Sequence, residues 1–171
     1  MQTHWVTMNK NVTLERELYP DMEQWLRDYL KDNYKGYEIF VRTTSEQNLD
    51  VVLDEIGVLK EFPNVIGIGI QIDVLGVARR KDKTLLFFIE AKKTALNTHD
   101  LGQILIYSLI CKPEKAFLFS SAGVGSLGRL LHEREDIAIY DRGKRLKMVQ
   151  AARWDIVRKS PDPATTYPKT T

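Results

Sequence analysis

Two apolar runs separated by a short charged interruption constrain this chain more than anything else in it. Residues 65–77 and 84–91 are rich in Val, Ile, Leu and Phe, and residues 78–83 (Ala-Arg-Arg-Lys-Asp-Lys) are polar. Such runs on either side of a polar break predict a β-hairpin, here with a longer loop.

The flanking segments say what the hairpin packs with. Apolar residues at 14, 18, 22, 25, 26, 29 and 30 fall at helical spacing. Pro20 suits a first helical turn, so the regular helix is expected to begin near it, with residues 15–19 as a lead-in and Lys35-Gly36 as the close. Residues 37–42 predict a strand, and residues 43–64 stay open between a short helix and a strand pair. Beyond the hairpin, Asn97 or Thr98 can cap a helix running to about Cys111, with Leu101, Ile104, Leu105, Ser108 and Leu109 inward and Pro113 as the stop. Residues 115–120 predict a buried strand, 121–126 a Gly/Ser loop, 127–135 a helix, 137–141 a strand, and 144–158 a basic strand or helix. From Ser160 onward Pro and Thr dominate, which predicts a disordered tail over 160–171 after a single domain over 1–159. The alternation of helices and strands predicts an α/β fold, a central mixed β-sheet flanked by helices.

Composition narrows the classes. At 171 residues and 43% hydrophobic, the chain can bury one core and has no apolar run near the ~20 residues that span a bilayer. Residues 1–12 lack the apolar stretch of a signal peptide. One cysteine, Cys111, excludes an intramolecular disulfide and a Cys-rich metal site, so a reducing, cytoplasmic location is expected. A net charge of +2 does not by itself identify a partner, although basic residues gather at 79–83, at Lys92–Lys93 and between Arg142 and Lys159, patches that a phosphate backbone would favour.

Three residues in the hairpin fit poorly with a purely structural role. Asp73 is embedded in the apolar Gly-Ile-Gln-Ile-Asp-Val-Leu-Gly, while Glu90 and Lys92 end the run Leu-Leu-Phe-Phe-Ile-Glu-Ala-Lys-Lys. Strand alternation projects Glu90 and Lys92 from one face, and pairing of the two runs brings Asp73 beside them. Two carboxylates at the end of buried strands repel unless a proton or a cation intervenes. A hard divalent cation such as Mg²⁺ would resolve that, with the Ala91 carbonyl as a further oxygen ligand. Phosphodiester hydrolysis uses such an arrangement, Lys92 orienting or deprotonating a water or stabilising charge in the transition state. The simpler reading is a set of ion pairs, Glu90 with Lys92 and Asp73 with Lys93.

Ile-Asp-Val-Leu-Gly followed by Phe-Ile-Glu-Ala-Lys-Lys resembles the D…(E)xK core of the PD-(D/E)xK nuclease superfamily, which includes restriction endonucleases, archaeal Holliday junction resolvases and RecB-type exonucleases. Glu15-Arg-Glu-Leu18 is similar to the first-helix segment of the resolvases, whose glutamate three residues before the Leu reaches the metal. Glu15 lies close to the apolar stripe and is preferred for that role over Glu17. Gln103-Ile-Leu-Ile-Tyr107 is similar to the QxxxY helix of RecB-like members, and a spacing of four puts both side chains on one helical face. The residue before Asp73 is Ile72 where the family name has Pro. The resemblance spans residues 15–120 and implies a restriction-endonuclease-like core and a Mg²⁺-dependent deoxyribonuclease, with Mn²⁺ as a substitute. It further implies metal ligands Glu15, Asp73, Glu90 and the Ala91 carbonyl, with Lys92, Gln103 and Tyr107 completing the site. DNA is the implied partner and a homodimer the implied assembly. The alternative is a non-catalytic nucleic-acid-binding module that keeps the nuclease fold. Elsewhere, His99-Asp100 reads as a helix cap, and Gly123-Val-Gly-Ser126, which lacks a P-loop lysine, as a turn.

Overall fold

The computed structural model describes residues 12–169. A 3-10 turn over Glu15–Leu18 leads into α1 (Tyr19–Asn33), with Pro20 in its first turn. Met22, Leu26 and Leu30, four residues apart, are each wholly buried, and each contributes about 1.5–3 kcal/mol of apolar burial. Then come β1 (Glu38–Thr43), α2 (Leu49–Glu55), and β2 (Val74–Arg80) with β3 (Lys83–Lys92). They are followed by α3 (Thr98–Cys111), β4 (Lys115–Ser120), α4 (Gly125–Glu133), β5 (Ile139–Arg142), β6 (Leu146–Asp155) and β7 (Ser160–Pro161).

The strands form one mixed sheet in the order β1-β2-β3-β4-β6-β5, with β7 also on β6. Its β1–β2 and β2–β3 pairs are antiparallel, whereas β3–β4 and β4–β6 are parallel. The expected α/β architecture with a central mixed sheet flanked by helices is therefore present. Side-chain alternation divides the core in two. Val74, Ala78, Phe87 and Ile89 pack with α1, while Leu75, Val77, Leu86 and Phe88 pack with residues of α2, α3 and α4. Helix α1 lies so close to β2 that a Cβ on Gly76 would stand 2.9 Å from both Leu26 Cδ2 and Leu30 Cδ1.

Several sequence expectations change. The strand expected over residues 65–77 begins only at Val74. Gly67 and Gly69 take φ values of +72° and +75°, which a pleated strand cannot accommodate. Residues 70–73 instead bond to the segment after β1: Leu49 N–H donates to Ile70 O (2.7 Å), Thr44 N–H to Asp73 O (3.0 Å), and Thr44 Oγ1 to Ile72 O (2.6 Å). The hairpin loop is shorter than expected, since Arg80 pairs with Lys83 around a two-residue turn in which Lys81 has φ +46°. The open segment 43–64 contains α2 and two 3-10 turns. The basic segment is strand β6 rather than helix.

Helix α3 matches its expected span, and Asn97 and Asp100 form a reciprocal cap, each backbone N–H donating to the other's side chain at 3.1 Å. Leu109 of that helix, expected inward, is exposed. The tail expected to be disordered is packed over residues 160–169. Trp154 pairs with Pro161, and Ala151 exchanges backbone hydrogen bonds with Tyr167 at 2.7 and 2.8 Å. The outer edge of β6, left open beyond β5, supplies unpaired backbone groups that this segment satisfies, and that outweighs its Pro-rich composition.

Candidate active site

The carboxylates sit where the β2–β3 ladder runs out. Its last pair is Val74 with Ile89. In a strand, alternate residues turn their N–H and C=O to the same edge, so the next backbone groups of β3 on the β2 side belong to Ala91 and then Lys93. Lys92 O points the other way and accepts from Ser121 N–H at 3.1 Å. With the β2 backbone diverted at residues 70–73, side chains take the vacated places. Asp73 Oδ2 accepts from Ala91 N–H at 2.8 Å, and Glu15 Oε2 accepts, over a longer 3.4 Å, from Lys93 N–H. The Ala91 carbonyl faces the same edge, between those two amides. Glu17 turns back instead, accepting from Thr13 N–H at 3.3 Å. Of the two candidate glutamates, Glu15 is the one at the strand edge.

Asp73, Glu90 and Lys92 share the sheet face that carries Leu75 and Phe88, as alternation requires. Glu90 is only 3% exposed. Burial pushes its carboxyl up to about 9, and the adjacent Asp73 charge pushes the same way, while Lys92 pulls it down. Asp73 is also raised, again first by burial, against the lowering effects of the Ala91 amide, the Tyr19 hydroxyl and Lys92. Without a cation the pair is therefore a proton-holding unit. The alternative ion pair of Asp73 with Lys93 does not form, because Lys93 Nζ donates to Thr13 O at 2.8 Å.

Tyr19 was not singled out from the sequence. Its hydroxyl donates to Asp73 Oδ1 at 3.1 Å, so both Asp73 oxygens are held, one by a phenol and one by a backbone amide. Burial and then Asp73 raise the Tyr19 pKa, which keeps the phenol a donor. The available signal was its place four residues after Glu15, one helical turn on. Gln103 and Tyr107 lie on α3, over the face that bears Glu90. Among the described residues neither forms a side-chain hydrogen bond to Asp73, Glu90 or Lys92. Tyr107 packs instead against the apolar core.

Among the described residues, no three His, Cys, Asp or Glu side chains gather closely enough to enclose an ion. The donors at the strand edge are nonetheless all oxygen: two acidic carboxyls in contact, with a backbone carbonyl alongside. That set suits Mg²⁺ or Mn²⁺, which keep several waters and need only one or two protein carboxylates. A cavity of about 590 Å³ between residues 61–68 and the end of α3 lies apart from this site and has walls of mixed polarity; the acid pair and Lys92 do not line it. No protein family, curated protein or solved structure matches the chain. No helix among the described residues is long and apolar enough to cross a membrane.

Proposed function

We propose that the chain is a metal-dependent deoxyribonuclease of the PD-(D/E)xK type, cutting DNA as an endonuclease of restriction or junction-resolving kind. The observation that carries this reading is the break in the β2–β3 ladder, where Asp73 takes the Ala91 amide beside a buried Glu90, with Lys92 on the same face. In the absence of a cation a proton offsets the second carboxyl, and a divalent cation could take that proton's place. Asp73, Glu90 and the Ala91 carbonyl would hold the ion, Mg²⁺ or Mn²⁺, with Glu15 approaching from the same edge. The ion supplies Lewis acidity toward a phosphoryl oxygen and makes water a stronger acid.

The chain's own groups do the rest. The Ala91 amide and Tyr19 hydroxyl fix the Asp73 carboxylate in one orientation, avoiding reorganisation when substrate arrives. Lys92 would orient the attacking water or offset negative charge that develops on the phosphoryl group. From α3, Gln103 is assigned to substrate contact, and Tyr107, packed against the core, to supporting the site from behind. Arg158 and Lys159, just past the C-terminal end of β6, lie toward the same end of the sheet as Lys92 and Lys93, since β3, β4 and β6 run parallel. Both are exposed, as phosphate contacts require. The proposed assembly is a cytoplasmic homodimer, in keeping with the exposed Ile106 and Leu109 on α3.

The test is cleavage of labelled linear duplex, supercoiled plasmid and a four-way junction in Mg²⁺, Mn²⁺ or EDTA, beside Asp73→Ala and Lys92→Ala. Cutting that needs the metal and disappears in both variants supports the proposal, and the preferred substrate selects the subclass. Metal-independent DNA binding without cutting of any substrate would favour a non-catalytic binding module.

A further inference from the structure

The end of the sheet opposite the carboxylates carries a different chemistry. The starts of β3 and β6 and the β5–β6 turn enclose an open cleft of about 540 Å³, lined by Lys83, Lys144, Arg145 and Lys147 against two carboxylates, Glu114 and Asp141. Glu114, just before β4, acts as its organiser. It pairs with Arg145 and, at 3.3 Å, with Lys147, and so fixes two cations in the wall. Lys83 and Lys144 are exposed and form no ion pair among the described residues. The cations crowd one another: burial lowers the Lys147 ammonium, and Arg145, Lys112 and Lys83 push the same way against Asp141. An anion entering the cleft would relieve that repulsion.

We propose that this cationic cleft is a second nucleic-acid contact, one that takes phosphate groups of a strand and has no part in bond breaking. It rests on the reading that the chain meets DNA, but not on cleavage. Lys83 and Glu90 are seven residues apart on one strand, so the cleft lies about 23 Å from the carboxylates, too far for one phosphate to serve both. Three observations favour a nucleic acid over an anionic membrane. The cations line a concavity that a phosphate chain can enter and a flat bilayer surface cannot. Half-buried aromatic rings adjoin the cleft at its hairpin end: Arg80, the strand partner of Lys83, lies over the Tyr37 ring at 4.8 Å, and Tyr37 meets Tyr34 edge-on at 5.8 Å. Burial raises the Tyr34 phenol, and the Arg145 guanidinium is near enough to offset part of that rise. Basic side chains with aromatic rings nearby suit a sugar–phosphate chain and its bases.

The test is binding of a 30-base-pair duplex in EDTA, by fluorescence anisotropy over a salt series, for wild type and for Lys83→Glu with Lys144→Glu. Neither residue is buried or ion-paired, so the fold should tolerate both changes, with circular dichroism as the check. The double variant should bind at least about tenfold more weakly, and its log–log salt slope should flatten by about 2, close to 0.9 for each lost phosphate contact. Its maximal cleavage rate at saturating DNA should equal wild type. An unchanged affinity and slope would overturn the proposal. So would loss of binding to phosphatidylserine vesicles in the variant with DNA affinity intact, which would make the cleft a membrane contact. Asp73→Ala separates this proposal from the nuclease reading, since it should lose cleavage yet keep the wild-type affinity and salt slope. If wild type binds DNA through the cleft yet cuts nothing in any metal, the nuclease reading fails and the second contact stands.

Discussion

Replacing Glu90 by Gln should change how stability depends on pH, and the structure gives the direction and size. In metal-free protein Glu90 is raised from an ordinary 4.5 to about 9, first by burial and then by Asp73. Between those limits the folded chain holds a proton that the unfolded chain has released. Stability from this group is therefore fully present below pH 4.5 and declines as pH rises toward 9. Each pH unit crossed costs about 1.4 kcal/mol, so going from about pH 5.5 to about pH 7.5 costs on the order of 3 kcal/mol. Glutamine has nearly the same shape and cannot ionise. The assay is urea unfolding in EDTA at several pH values for both proteins, comparing the extrapolated free energies. Wild type should lose stability relative to Glu90→Gln throughout that window, and saturating Mn²⁺ should restore it. Parallel pH profiles for the two proteins would refute the argument, because the buried pair would then hold no proton that folding depends on.

Two further predictions concern the support of that pair. Tyr19→Phe removes the hydroxyl that holds Asp73 Oδ1, a bond to a charged group worth about 1.5–3 kcal/mol, and should lower stability near neutral pH by that order and weaken Mn²⁺ binding. Unaltered stability and Mn²⁺ affinity would show that the hydroxyl holds nothing. Gly76→Ala puts a methyl 2.9 Å from two fully buried leucine side chains and should cost about 1–3 kcal/mol in thermal or urea unfolding, despite the entropy that alanine recovers in the unfolded chain.

Much of the fold was legible because periodicity reports burial. Met22, Leu26 and Leu30 announced α1, the run 115–120 announced β4, and Asn97 with Pro113 bracketed α3. Asp73, Glu90 and Lys92 were legible for the opposite reason, as charge where the period demanded apolar side chains. The failures share a physical cause. Gly67 and Gly69 interrupt, with positive φ, a run that is hydrophobic enough for a strand, and residues 70–73 after them bond to residues 44–49, a pairing that composition does not encode. The segment 160–169 is ordered by the open edge of β6, not by its own propensity. Tyr19 reaches Asp73 only because β2 leaves the ladder at Val74, a tertiary event invisible in local pattern.

The proposed nuclease centre requires that Asp73 and Glu90 bind a divalent cation. Calorimetric titration of Mn²⁺ into metal-free wild type and Asp73→Ala, near pH 7 and in two buffers of different ionisation enthalpy, tests it directly. Wild type should bind saturably with release of about one proton per ion, and Asp73→Ala should lose that binding. Heats that are indistinguishable between the two proteins would contradict it.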